Sequence, residues 1–303
     1  MKISSIKLSK ILELNKKNID ESNFSRNSQI NDKNFKQLFD QILLKQKDST
    51  FDGDLFINKN IKKKIIVVSH ERSGTHYLMN SVAYNSDYTV HPFIPVSNSS
   101  LGINLSNYRE IHNFFSSFEK NNVSNIFKSH HHFDFFKKEF DYLKEHFFFI
   151  YIYRDPKDVM VSFWNFLKEY PWVGPNKDTI SNFLTCKPEG SMIQYQLNQA
   201  NNILSRWSSH VESWIINNDE KIKKNILFIK YEDLNLSFEN TLKKIFSFIN
   251  VENKSVIKPS ASKDVLAPGR GKVGNYKFFL DDKDIKLINK NLGKTMINLG
   301  YSN

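Results

Sequence analysis

This 303-residue chain contains a single cysteine, Cys186. An internal disulfide framework is therefore excluded, and a reducing compartment is expected. Long apolar runs are also missing. The longest, Phe147 to Tyr153, has seven residues, far short of the ~18 that suggest a membrane span. No signal-peptide pattern opens the sequence, so the expectation is a soluble, cytoplasmic protein. Arginine is scarce, with six among 43 basic residues. The formal net charge is nonetheless +11, nearly all of it from lysines scattered among Asn and Ser. Such a charge points to an anionic partner, whether nucleic acid, membrane surface or small polyanion. Three of the arginines, Arg72, Arg154 and Arg270, fall in stretches that stand out on other grounds. Arginine suits planar, bidentate anion recognition, so this placement says more than the total charge.

Ile65 to Val68 are four consecutive aliphatics with the length and branching of a strand buried on both faces. A short polar turn, Ser69 to Gly74, follows, and Thr75 opens a helical pattern with Leu78, Val82 and Ala83 on one side. Strand, small-residue turn and helix N-terminus together offer backbone N–H groups and a positive dipole end to a phosphate-like anion. Arg72 adds a charge inside that turn. A nucleotide P-loop would read G-x-x-x-x-G-K-[ST]; its first Gly and its Lys are absent here, which disfavours an ordinary ATPase or GTPase.

Residues 1–60 are polar and read as a partly helical N-terminal extension, with Phe35, Leu38, Phe39, Ile42 and Leu43 on one helical face. The stretch 86–124, with Pro92 and Pro95, reads as one long irregular region, often a binding lid. Asn125 to Ser129 then runs into His130-His131-His132. On their own, three adjacent histidines read as a solvated surface turn, and no further Cys or His stands at zinc-ligand spacing. Phe147 to Tyr153 is the strongest buried-strand pattern. Arg154 follows it, then Asp155 as N-cap and Pro156 at the first helical position. Arg154 at the strand end and Ser162 two turns into the helix are placed to reach one anion. A third strand around Ile226 to Ile229 leads into Tyr231-Glu232-Asp233, and a Gly- and Lys-rich loop spans Gly269 to Lys277. Strands alternating with helices give an α/β fold, a central parallel sheet flanked by helices.

Together these stretches resemble the sulfotransferases that use 3′-phosphoadenosine 5′-phosphosulfate (PAPS). His70 to Tyr77 is similar to the family's 5′-phosphosulfate loop, P-K-S-G-T-T-W, with Arg72 in place of Lys and with His76 and Tyr77 where Thr and Trp are common. Arg154 to Ser162 fills every named position of its 3′-phosphate motif, R-x-x-K-D-x-x-x-S. Trp207-Ser208-Ser209-His210-Val211 with Trp214 is similar to W-x-x-H-V-x-x-W, and Tyr231-Glu232-Asp233 to Y-E-D. Gly269 to Lys277 is similar to R-K-G-x-x-G-D-W-K, with Gly269 where the first Arg stands. Lys128-Ser129-His130 is similar to the K-T-H that carries the base. The matches keep the family's order across roughly 65–280.

The resemblance implies one P-loop-like sulfotransferase domain over 61–303. It implies sulfuryl transfer from PAPS to a hydroxyl or amine of a small-molecule or glycan acceptor, leaving adenosine 3′,5′-bisphosphate (PAP), with no metal. It makes His130, Arg72 and Lys128 the catalytic residues. Arg72, Ser73, Gly74, Thr75, His76 and Tyr77 would bind the phosphosulfate side, Arg154, Ser162, Arg270 and Gly271 the 3′-phosphate, and Tyr231 the adenine. Neither a nucleic acid nor a membrane is expected as partner. The family's dimerisation signature, K-x-x-x-T-V-x-x-x-E, is not recognisable after Lys277, so the oligomeric state stays open. A P-loop kinase is the enzymatic rival. A basic nucleic-acid-binding protein is the other, resting only on the charge.

Overall fold

The computed structural model describes residues 63–96, 111–113, 115–116, 125–195, 200–252, 256–259 and 271–301. The N-terminal extension at 1–60 and Arg270 lie outside these described residues. Five strands form one all-parallel sheet: β1 (Lys64–Val68), β2 (Thr89–Val96), β3 (Asn125–Ser129), β4 (Phe147–Tyr153) and β5 (Ile226–Lys230), in the order β2-β3-β1-β4-β5. Between them run α1 (Thr75–Ala83), α2 (Phe133–Lys137), α3 (Phe140–His146), α4 (Pro156–Glu169), α5 (Ile180–Thr185) and α6 (Ile203–Ile215). Then come α7 (Glu220–Lys223), α8 (Tyr231–Leu236), α9 (Phe238–Ile249) and α10 (Asp282–Asn298). The expected α/β fold with a central parallel sheet is what the chain adopts. No helix among the described residues is long and apolar enough to cross a membrane.

Period-two alternation explains why the central strands are apolar throughout. Ile65 and Val67 of β1, with Ile150 and Ile152 of β4, pack under Leu78, Leu234, Leu242 and Ile245 on one face of the sheet. Ile66 and Val68, with Phe149 and Tyr151, pack under Phe133, Phe136, Leu143 and Trp214 on the other. A third apolar cluster joins α4, α5, α6 and α10 through Val159, Phe163, Phe183, Trp207, Val211, Ile288 and Leu292. With both faces covered, only the sheet's ends remain for chemistry.

The reading of 86–124 as one irregular region is corrected at 89–96, which is β2. Among the described residues it pairs with β3 alone, which makes it an edge strand, and its register shifts between Thr89 and Ile94. Proline lacks a backbone donor and is tolerated at such an edge or bulge, which is why Pro92 and Pro95 hid a strand. The α4 start follows the sequence expectation: the Asp155 side chain accepts from the Lys157 amide, with Pro156 in the first turn.

Candidate active site

Because all five strands are parallel, their C-terminal ends share one edge. β3 lies on one side of β1 and β4 on the other, so the chain changes direction across the sheet there. Open α/β sheets bind ligands in the crevice at such a switch point. The β1–α1 turn, His130 after β3, Arg154 after β4 and Tyr231 after β5 all come to this edge.

The β1–α1 turn has a demanding backbone. Arg72 and Gly74 both lie in the left-handed region, at φ 66° and 101°. For Arg72, which has a Cβ, this costs roughly 1–2 kcal/mol. Gly74 is required twice over, since a Cβ there would also stand 2.3 Å from Cδ2 of Tyr231. The turn is tied to β1 and β3 by Ser69, whose hydroxyl lies 2.7 Å from Oγ1 of Thr75 and whose amide donates to Ser129 O at 3.2 Å. The α1 N-cap, Gly74, provides no side-chain acceptor for the first-turn amides, which leaves them for an anion.

Two arginines converge beside this turn. Arg72 Nε donates to Ser162 Oγ at 3.2 Å, and its guanidinium lies over the Phe166 ring at 4.6 Å. Burial, with the like charge of Arg154 nearby, lowers its pKa to about 10. Arg154 is buried, ion-paired with Asp158 at 3.3 Å, bonded to Lys272 O at 3.0 Å, and stacked over Tyr231 at 4.4 Å. Ser162, paired with Arg154 in the sequence reading, thus meets Arg72 here. Among the described residues, Arg154 Nε and Ser73 Oγ are buried with no hydrogen-bond partner. Buried donors are rarely left so, and an anion with several oxygens is what these would satisfy. Tyr231 donates to Gly271 O at 2.7 Å and meets the Tyr77 ring at 6.0 Å.

Across the crevice, His130 follows β3 directly and is buried. Its Nδ1 lies 2.8 Å from Ser69 O. A carbonyl only accepts, so the proton sits on Nδ1 and the Nε2 lone pair is available. Burial, then the charge of Lys128, lowers the His130 pKa to about 3, so the ring is neutral at physiological pH. Lys128 Nζ stands 3.4 Å from His76 Nε2, and burial lowers its pKa to about 8. His131 stacks on Phe135 at 3.8 Å, and its ring and that of His130 both meet the Tyr195 ring, at 5.1 and 5.4 Å. His132 packs against the His210 ring at 5.1 Å. Among the described residues, no group of three or more His, Cys, Asp or Glu is arranged to hold a metal ion.

Several supporting residues, some of them within the motifs, were given no role in the sequence reading. Asp158 accepts from the amides of Gly274 and Tyr276 at 2.8 and 2.9 Å, which binds the Gly-rich loop to α4. Glu232 accepts from the Asp155 amide and the Tyr301 hydroxyl. His210 accepts from the Tyr151 hydroxyl and donates to His130 O at 3.1 Å. Arg206 holds Glu71 through two bonds, at 2.5 and 2.8 Å. An acidic residue inside an anion-binding turn was the available signal for that last pair, because it demands a cation.

A family model for the sulfotransferase domain matches residues 62–263, and the chain belongs to that family. It is 31% identical over 100 residues to the amine sulfotransferase of Oryctolagus cuniculus, which covers 33% of this chain and 29% of that protein. It is 25% identical over 203 residues to sulfotransferase 2A1 of Macaca fascicularis, covering 65% of this chain and 61% of that protein. The matches therefore span less than two thirds of these relatives. Among solved structures, mouse sulfotransferase SULT7A1 complexed with PAP is similar in fold, with a TM-score of 0.52 and 20% identity over 84% of this chain and 88% of that one.

Proposed function

We propose that the chain transfers a sulfuryl group from PAPS to a hydroxyl or amine of a small-molecule or glycan acceptor. One observation carries the reading: half-buried Arg72 and buried Arg154 converge from neighbouring turns, with Arg154 Nε and the Ser73 hydroxyl buried and without a partner among the described residues. Family membership supports it, and mouse SULT7A1, of similar fold, was solved with PAP. PAPS supplies an activated sulfuryl group whose leaving group is a phosphate. Arg72, the Ser73 hydroxyl and the amides of Gly74, Thr75, His76 and Tyr77 face charge that grows on that phosphate as the bond breaks. His130 Nε2 accepts the acceptor's proton, a step suited to a neutral imidazole oriented through Nδ1. Lys128 offers a cation to the sulfuryl oxygens. Arg154 and Ser162, with Arg270 and Gly271, hold the 3′-phosphate that distinguishes PAPS from ATP, and Tyr231 flanks the adenine. Such transfers depend on positioning and charge stabilisation more than on covalent catalysis.

The test is a screen of phenols, alcohols, amines and sugars with labelled PAPS. Label should appear in one acceptor class with stoichiometric PAP. A chain that transfers no label and binds no PAP would overturn the reading.

A further inference from the structure

Arg206 lies on α6 and is only 2% exposed, yet it does not touch the crevice. Its guanidinium donates to both carboxylate oxygens of Glu71, to His70 Nε2 at 2.8 Å and to Met192 O at 3.2 Å. His70 in turn bonds through Nδ1 to Glu71 O at 2.9 Å. Glu71 immediately precedes Arg72, whose left-handed backbone aims the turn. An unneutralised carboxylate here would repel the anion that the turn is shaped to hold. Paired with Arg206, it becomes an anchor instead.

The same helix face holds the other half of the crevice. One turn beyond Arg206, His210 Nε2 donates to His130 O at 3.1 Å. One turn further, Trp214 Nε1 donates to His131 O at 3.0 Å. Residues four apart on a helix share a face, so positions 206, 210 and 214 form one stripe. Its first member grips the anion turn and the next two grip the histidine segment.

We propose that Arg206 is a positioning residue: it neutralises and fixes Glu71, and so holds Arg72 in register with His130, which the same face of α6 secures. This rests on the sulfotransfer reading for what the turn binds, but not for the clamp itself. Its test uses the full chain as wild type, Arg206→Lys and Arg206→Met, each followed by PAP calorimetry, thermal unfolding and amide hydrogen exchange over residues 69–77. Arg206→Met leaves Glu71 unpaired and unanchored, and should weaken PAP binding by about tenfold or more with faster exchange at Ser73 to Tyr77. Arg206→Lys keeps the charge without the two-pronged grip. It should stay folded, recover part of the affinity and still exchange faster at the turn. Should the Met variant not fold, the Lys variant decides alone. A folded Arg206→Lys with wild-type exchange at the turn and wild-type PAP affinity would overturn the proposal. If the wild type binds no PAP, the sulfotransfer reading fails separately, and exchange at the turn still judges Arg206.

Discussion

His130 and His210 are the same residue type, both buried, both with a pKa lowered chiefly by burial, and joined by a hydrogen bond. They differ in how their nitrogens are used. His210 commits both, one to Tyr151 and one to the His130 carbonyl. His130 commits Nδ1 to Ser69 O, and its Nε2 has no hydrogen bond to the described residues. A fully bonded imidazole has no lone pair to offer; one held through Nδ1 keeps its Nε2 lone pair, as the proposed base requires. Burial and pKa alone would not tell them apart.

The sharpest way to break this comparison is to truncate each ring. His130→Ala should lower transfer by roughly 10²–10⁴-fold, the usual contribution of a general base, while PAP binding persists. His131→Ala and His132→Ala should turn over nearly normally. Steady-state assays on the three variants check this, and normal turnover by His130→Ala would end the assignment. Arg72→Ala comes next, with kcat falling about 10²–10³-fold, as for loss of a transition-state donor, and PAPS affinity falling less. Arg72→Lys should keep much of the rate, because the charge survives. An unchanged rate at saturation would contradict the role.

His210→Ala should act mainly on stability. It leaves the Tyr151 hydroxyl and the His130 carbonyl without their partner, at about 1–3 kcal/mol for each buried group. His130→Ala frees only one carbonyl and should cost less. Denaturant unfolding of the pair measures the difference, and equal losses would erase the distinction.

A separate effect is the dependence of stability on pH. Burial lowers His70 and His132 to about 4 and His130 to about 3, against an ordinary 6.5. The unfolded chain binds these protons first, so stability is full above pH 6.5 and falls as pH drops from 6.5 towards 4. Asp155, raised to about 6 by burial, opposes this within the same window, but it is one group against several histidines. The melting temperature should therefore be lower at pH 5 than at pH 7.5.

Much of this was legible in the sequence wherever the signal is local. Phe147 to Tyr153 is β4 from end to end, Asp155 and Pro156 start α4, and His130 follows β3 directly. Strand and cap chemistry is written within a few residues, so these elements could be read without tertiary context. β2 could not, because its edge position excuses the two prolines that normally argue against a strand. Nor could the pairing of Glu71 with Arg206, or the bonds that distinguish His210 from His130. Those partners lie 135 and 80 residues apart in the chain, and no periodicity connects them.

The most direct measurement is calorimetric affinity for PAP against AMP, which lacks the 3′-phosphate, in the wild type and in Arg154→Ala. PAP should bind the wild type much more tightly than AMP does. Arg154→Ala should lose about 1.5–3 kcal/mol for PAP, one charge-assisted contact, and little for AMP. Equal wild-type affinities for PAP and AMP would contradict a 3′-phosphate site at this sheet edge.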